Sequence, residues 1–215
     1  MALLVKICGL KTPEALAVCL DGGSDFVGFV FYPPSPRNVT LAEARPLADM
    51  ARGRAGIVAL MVDPSDTLIE DVVAAIAPDL LQLHGSETVE RVAEVKRRFG
   101  VPVMKAIKVE TAQDAEAALD YADVADRILF DAKAPKGLAG ALPGGNGLTF
   151  DWRALEPIQG KLAFMLSGGL TVETVSAAAR LTKAWAVDVS SGVESSPGVK
   201  DLGLIAAFLA AAKAA

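Results

Sequence analysis

Four side chains able to do chemistry, Cys8, Arg37, His84 and Asp131, each stand at the end of an apolar run or just after one, where a residue can leave a core and meet a ligand. Cys8 closes Lys6-Ile7-Cys8-Gly9. A free cysteine is most often a small buried hydrophobe, but the glycine and the helix start that follow favour a reactive thiol, which as thiolate is a base or nucleophile. Cys19, inside Ala15–Leu20, lacks that setting and reads as core packing. Asp131 caps Ile128-Leu129-Phe130. It could simply bond a neighbouring loop, but an apolar surround would raise its pKa and keep it protonated, ready to donate a proton. Most arginines are solvated, yet Arg37 follows Tyr32-Pro33-Pro34-Ser35-Pro36, whose three prolines fix φ and present the guanidinium from a pre-set arm. Such a fork suits bidentate capture of a carboxylate or phosphate. His84, in Gln82-Leu83-His84-Gly85, could be an acid, a base or a neutral hydrogen-bonding wall, and a lone histidine favours the wall.

Two glycine turns add an anion site. Ser167-Gly168-Gly169 leads into a helix start expected at Thr171, and Ser190-Ser191-Gly192 follows the next apolar run. Glycines let backbone N–H groups approach an anion, and a helix N-terminus attracts it. One such turn is common; two of them one repeat apart point to a phosphorylated ligand.

These residues must be brought together by the elements between them. Short apolar, β-branched runs alternate with stretches of helical spacing, the pattern of βα units around a parallel sheet. Strands are expected at Leu3–Cys8, Phe26–Phe31, Ile57–Val62, Leu80–His84, Val103–Val109, Arg127–Asp131, Leu162–Ser167 and Ala184–Val189. Thr12-Pro13-Glu14 puts proline at a first helical position, Thr40-x-x-Glu43 and Thr111-x-x-Asp114 read as capping boxes, and a last helix runs from Leu202 to about Ala212. Eight βα repeats in 215 residues predict an α/β fold, a closed (β/α)8 TIM barrel forming a single domain over 1–215. In that barrel the strand ends share one mouth. Phosphate sites in barrels are commonly built from the loops after strands 7 and 8, where both glycine turns fall. A long segment, Lys133 to Thr149, with Gly137, Gly140, Gly144, Gly145 and Gly147, is expected to be a flexible loop over that mouth.

Composition narrows the class. A hydrophobic fraction of 52% with 22% charged residues and mean hydropathy +0.39 belongs to a folded chain with a large core. The net charge of −5 is scattered, with no basic cluster longer than Lys96-Arg97-Arg98, so nucleic acid is not expected as a partner. No run approaches the roughly 20 apolar residues that span a bilayer, and Met1 to Ile7 lacks the layout of a signal peptide. The expectation is a cytoplasmic protein with reduced thiols. One histidine and no Cys-x-x-Cys spacing leave a zinc site without ligands, so no metal is expected.

Nearly the whole chain resembles the phosphoribosylanthranilate isomerase family of tryptophan biosynthesis. The likeness rests on Lys6-Ile7-Cys8-Gly9, Phe31 with Ser35-Pro36-Arg37, Gln82-Leu83-His84-Gly85, Asp131, Leu166-Ser167-Gly168-Gly169-Leu170, and Asp188-Val189-Ser190-Ser191-Gly192-Val193-Glu194 followed by Pro197-Gly198-Val199-Lys200-Asp201. Asn146 in Gly144-Gly145-Asn146-Gly147 departs from the family, which often has threonine or serine there.

The resemblance implies an Amadori rearrangement of N-(5-phospho-β-D-ribosyl)anthranilate to 1-(2-carboxyphenylamino)-1-deoxy-D-ribulose 5-phosphate. Asp131 would be the acid and Cys8 the base; Arg37, His84, Gln82 and Asp188 would bind substrate, with Arg37 on the anthranilate carboxylate. Ser167, Gly168, Gly169, Ser190, Ser191 and Gly192 would hold the phosphate. No cofactor is implied, because the substrate's own iminium is the electron sink. The expected partner is a phosphorylated small molecule, and the protein a monomer or homodimer. The histidine-pathway isomerase runs a similar rearrangement with two aspartates and two phosphate sites; here the first position is Cys8, and Asp63-Pro64-Ser65 and His84-Gly85-Ser86 lack a second double glycine. A non-catalytic phosphate-binding barrel would lack Cys8 or Asp131, and both are present.

Overall fold

Side chains alternate across a strand with period two, and in this chain that alternation sorts residues between the inside of a barrel and a shell of helices. The computed structural model describes residues 3–134 and 144–215. Gly137 and Gly140 of the expected long loop lie outside the described residues. The strands are β1 (Leu4–Cys8), β2 (Phe26–Phe31), β3 (Gly56–Met61), β4 (Leu80–Leu83), β5 (Val103–Val109), β6 (Arg127–Ala132), β7 (Phe164–Leu166) and β8 (Ala186–Val189). They form a closed parallel barrel in chain order, sealed where β1 pairs with β8 in the register Leu4↔Ala186 to Ile7↔Val189. Each expected strand is present, with ends moved by up to two residues.

Val5 and Ile7 of β1, Val27 and Phe29 of β2 and Leu81 and Leu83 of β4 belong to the large core between barrel and helices. The alternate positions point inward. Val58, Leu80, Met104, Leu129, Met165 and Ala186 form an apolar plug across the barrel floor. One step up those strands stand buried polar residues: Lys6, Gln82, Ser167 and Asp188. Cys8, His84 and Asp131 come at or next to the strand ends, so an apolar floor carries a polar tier that opens on the C-terminal mouth.

The helices are α1 (Pro13–Asp21), α2 (Leu41–Ala51), α3 (Asp66–Ile76), α4 (Val89–Phe99), α5 (Ala112–Glu116), α6 (Val175–Thr182) and α7 (Leu202–Lys213). Thr12 caps α1 with Pro13 in its first turn, and Thr40 with Glu43 and Thr111 with Asp114 form the expected capping boxes. Two helices differ from expectation. The element after β6 is a 3-10 helix, Trp152–Ile158, containing Pro157, whose missing N–H disfavours an α-helical ladder. After β7, Thr171 opens a turn in which its N–H is bonded by Thr174 Oγ1, and the helix begins only at Val175. Between β8 and α7 lies an addition, a two-stranded hairpin of β9 (Glu194–Ser196) and β10 (Val199–Lys200). Its turn packs against the proline arm, since a Cβ on Gly198 would come within 2.5 Å of the Pro36 carbonyl. Among the described residues, no helix is long and apolar enough to cross a membrane.

Candidate active site

One cavity at the C-terminal mouth is lined by Cys8, Arg37, His84, Asp131, Asp188 and both glycine turns, Ser167-Gly168-Gly169 and Ser190-Ser191-Gly192. Gly144, Gly145 and Asn146, from the segment ahead of the 3-10 helix, close it from above. The barrel thus brings together every residue expected to catalyse or to bind substrate or phosphate except Gln82. That side chain is fully buried and reaches the cavity only through His84, its amide 3.0 Å from His84 Nδ1.

On the acid side, His84 Nε2 stands 3.2 Å from Asp131 Oδ2, and Asp131 Oδ1 accepts from the Ala132 N–H at 2.9 Å. The expected apolar surround is therefore absent at the carboxyl itself. Asp131 alternates with the outward Phe130 and aims at the polar tier, away from the hydrophobic neighbours that flank it in sequence. Gly144 stands close over this pair: a Cβ there would lie 2.6 Å from His84 Nε2 and 2.7 Å from Asp131 Oδ2. Only glycine lets the chain pass so near.

Cys8 sits in a different field. Burial pushes its thiol up, Lys6 and Lys200 pull it back down, Asp188 adds to the rise, and the balance lies above the ordinary thiol value. Lys6 Nζ bonds Asp188 Oδ1 at 2.8 Å, and Ser167 Oγ donates to Asp188 Oδ2 at 3.2 Å. Burial alone would lower Lys6; Asp188 and Cys8 hold it above its ordinary value, so a cation is kept under the thiol. From the sequence Lys6 is the cation expected to lower the thiol, since a lysine two positions from Cys8 in a strand shares its inward face; it does pull the thiol down, but burial outweighs it.

Arg37 is braced from behind. Its Nε and Nη2 donate to Glu194 Oε1 and Oε2, each at 2.8 Å, and Nη2 also donates to the Gly145 carbonyl at 3.1 Å. The free fork expected from the sequence is thus half engaged by a carboxylate from β9. Lys200 Nζ bonds Glu194 Oε1 at 2.8 Å and the Ser190 carbonyl at 2.8 Å. Burial pushes Glu194 up, but Arg37 and Lys200 outweigh it and hold the carboxylate below its usual range. Glu194 and Lys200 were missed as site residues. Their signal was available: opposite charges flanking Pro197-Gly198 read as a cross-strand pair in a hairpin.

At the anion end, Gly168 and Gly169 take φ of +90° and +62°, a left-handed pair that L side chains rarely adopt. Gly192 packs so tightly that a Cβ would collide with the Leu170 carbonyl. Because α6 begins at Val175, the turn itself and not a helix N-terminus faces the cavity after β7. Among the described residues, no group of three or more histidine, cysteine, aspartate or glutamate side chains could hold a metal ion.

A closed parallel barrel with a thiol, a carboxyl and two glycine turns around one mouth has the anatomy of a (β/α)8-barrel enzyme. A family model described as N-(5'phosphoribosyl)anthranilate (PRA) isomerase matches residues 5–211. The chain is 59% identical over 215 residues to the N-(5'-phosphoribosyl)anthranilate isomerase of Nitrobacter hamburgensis, covering 100% of this chain and 95% of that one. In structure it is similar to phosphoribosyl anthranilate isomerase from Thermotoga maritima, with TM-score 0.88 and 36% identity, over 99% of this chain and 100% of that one. A second structure, of phosphoribosyl anthranilate isomerase in complex with reduced 1-(o-carboxyphenylamino)-1-deoxyribulose 5-phosphate, aligns with TM-score 0.85 and 34% identity, over 99% and 100% of the two chains. The chain belongs to the phosphoribosylanthranilate isomerase family, a family of isomerases in tryptophan biosynthesis.

Proposed function

We propose that this chain converts N-(5-phospho-β-D-ribosyl)anthranilate to 1-(2-carboxyphenylamino)-1-deoxy-D-ribulose 5-phosphate by general acid–base catalysis, with Asp131 as acid and Cys8 as base. The observation that carries the proposal is that both side chains line the cavity that the two glycine turns also enclose. Asp131 protonates the furanose ring oxygen, the C1–O bond breaks, and the nitrogen lone pair forms an iminium. Cys8 as thiolate then removes the C2 proton, the electron pair neutralises the iminium, and the enolamine tautomerises to the aminoketose. Arg37 holds the anthranilate carboxylate, while Ser167, Gly168, Gly169, Ser190, Ser191 and Gly192 hold the phosphate. His84 is the hydrogen-bonding wall beside Asp131. Its contact with Gln82 orients the ring, so Gln82 acts on substrate through His84, and Asp188 acts through Lys6 on the tier below Cys8.

Each step uses only a proton donor, a proton acceptor and the substrate's own nitrogen, so the reading includes no cofactor and no metal. It also takes residues 1–215 as one domain, working in the cytoplasm as a monomer or homodimer on a small phosphorylated substrate. The test is turnover by the purified protein, followed as loss of phosphoribosylanthranilate fluorescence, with inorganic phosphate as competitive inhibitor and EDTA without effect. No turnover, or a divalent metal needed to restore it after EDTA, would overturn the proposal.

A further inference from the structure

The charges behind Arg37 are arranged in a way that the reaction scheme does not use. Arg37 and Glu194 side chains are only 6% and 3% exposed, and their contact is bidentate. Left as a pair, they would cancel, and a neutral site has little attraction for a carboxylate. Lys200, whose side chain is 3% exposed, shares the same Glu194 carboxylate. Two cations thus flank one anion, leaving one positive charge in a water-poor setting where it acts strongly. Every oxygen of Glu194 is held: Oε1 by Arg37 Nε and Lys200 Nζ, Oε2 by Arg37 Nη2 and the Gly198 N–H at 3.2 Å. The carboxylate is therefore a fixed strut. It occupies the Nε–Nη2 edge of the guanidinium and leaves Nη1 beside Gly145, on the cavity wall.

We infer that Glu194 is the positioning residue that aims Arg37 at the substrate carboxylate, and that Lys200 offsets the Glu194 charge so that Arg37 keeps its own for the ligand. The inference rests on the proposed role of Arg37. Lys200 also ties this strut to the phosphate end, through the Ser190 carbonyl at 2.8 Å and Ser190 Oγ at 3.2 Å. The hairpin inserted between β8 and α7 exists, on this account, to carry both charges to the back of Arg37.

The experiment compares wild type with Glu194→Gln, Lys200→Met, Arg37→Met and the Arg37→Met/Glu194→Gln double variant, using two probes. Reduced 1-(o-carboxyphenylamino)-1-deoxyribulose 5-phosphate carries the carboxylate, and inorganic phosphate does not. Arg37→Met and Glu194→Gln should each weaken the carboxylate-bearing inhibitor and raise KM by about ten-fold or more, the scale of one charge-assisted hydrogen bond. For Glu194→Gln, kcat and phosphate inhibition should stay within about three-fold of wild type, the split expected of lost ground-state binding. In the double variant Glu194→Gln should add less than about two-fold, because its partner is gone. Should Glu194→Gln not fold, Lys200→Met, which also loosens Ser190 at the phosphate end, must still weaken the carboxylate-bearing inhibitor by more than it weakens inorganic phosphate. Wild-type KM in Glu194→Gln, an undiminished effect of that change without Arg37, or a parallel loss of phosphate inhibition overturns the inference. Unchanged KM in Arg37→Met overturns the role of Arg37 itself, a separate result.

Discussion

The ammonium of Lys6, two residues before Cys8 on the inward face of β1, lies 2.8 Å from Oδ1 of Asp188 on β8, and both side chains are buried. Lys6→Met would leave Asp188 as a buried charge hydrogen-bonded, among the described residues, by Ser167 alone, a loss on the order of 3–5 kcal/mol. Lys6→Met/Asp188→Leu removes both charges and should recover much of that stability without recovering turnover. Urea denaturation of the three proteins checks this; equal stability of the single and double variants would contradict it.

Cys8→Ala and Asp131→Asn should each lower kcat by about 10²–10⁴-fold, the usual contribution of a positioned acid or base. Cys8→Ser should do little better, since a hydroxyl is a far weaker base than a thiolate. The two losses differ in kind: Asp131→Asn stalls ring opening, whereas Cys8→Ala still permits it. Near wild-type turnover in Cys8→Ala would end the thiolate-base mechanism.

Burial sets the direction of the pH dependence at Cys8. A base must be unprotonated to act, and burial outweighs Lys6 and Lys200 to hold this thiol above its ordinary value. The limb of kcat/KM that belongs to Cys8 should therefore still be rising with pH beyond the ordinary thiol range. Lys200→Met, which removes one of the opposing cations, should move that limb further toward alkali. The pH dependence of iodoacetamide alkylation reads Cys8 with little interference from Cys19, because burial pushes the Cys19 thiol up to about 12. A limb at neutral pH would show that Lys6 and Lys200 outweigh burial at the thiol and would overturn the stated direction.

Glu87 and Lys105 hold the turn that follows His84. Glu87 Oε2 accepts from Lys105 Nζ at 2.7 Å, and Glu87 Oε1 accepts the Asp63 N–H at 2.8 Å. Burial pushes Glu87 up, but Lys105 and these amides prevail, so its native pKa is lowered. A lowered carboxyl contributes full stability above its unfolded value of about 4.3 and loses it as pH falls through the native value. Glu87→Gln should thus be less stable at pH 7, and its stability should fall less steeply below about pH 5. Parallel curves of unfolding free energy against pH would remove Glu87 from the acid response.

How much of this was legible in the sequence depended on the range of the signal. The strands were readable because their alternation is local, and the capping threonines because a cap acts within three residues. The helix after β7 starts later than expected because Thr171 opens a turn, its N–H bonded to Thr174 Oγ1, before the helix begins at Val175. The α-helix expected after β6 failed at Pro157, a visible signal. Cys8, Arg37, His84 and Asp131 stood out as chemical residues at run ends, but their partners did not. Glu194 meets Arg37 across 157 positions of sequence, and no local pattern encodes that distance. Of the two hydrogen bonds that replace the apolar surround expected at Asp131, one comes from the adjacent Ala132 N–H and the other joins it to His84, which the barrel brings near from 47 positions away.

Closure of β1 on β8 has a consequence for the order in which the protein is made. Lys6 meets Asp188, and the Cys8 carbonyl meets Ser190 Oγ, across 182 residues in each case. Contacts of such separation form late, because the intervening chain must first be confined. A nascent chain halted after β6 already carries Cys8, Arg37, His84 and Asp131, yet has neither the anion partner of Lys6 nor the strut of Arg37. In such a chain β1 is an open sheet edge, and neither Asp188 nor Lys200 is present to set the field around the thiol. Only pairing of β1 with β8, which lies in the last thirty or so residues, completes the walls around that thiol.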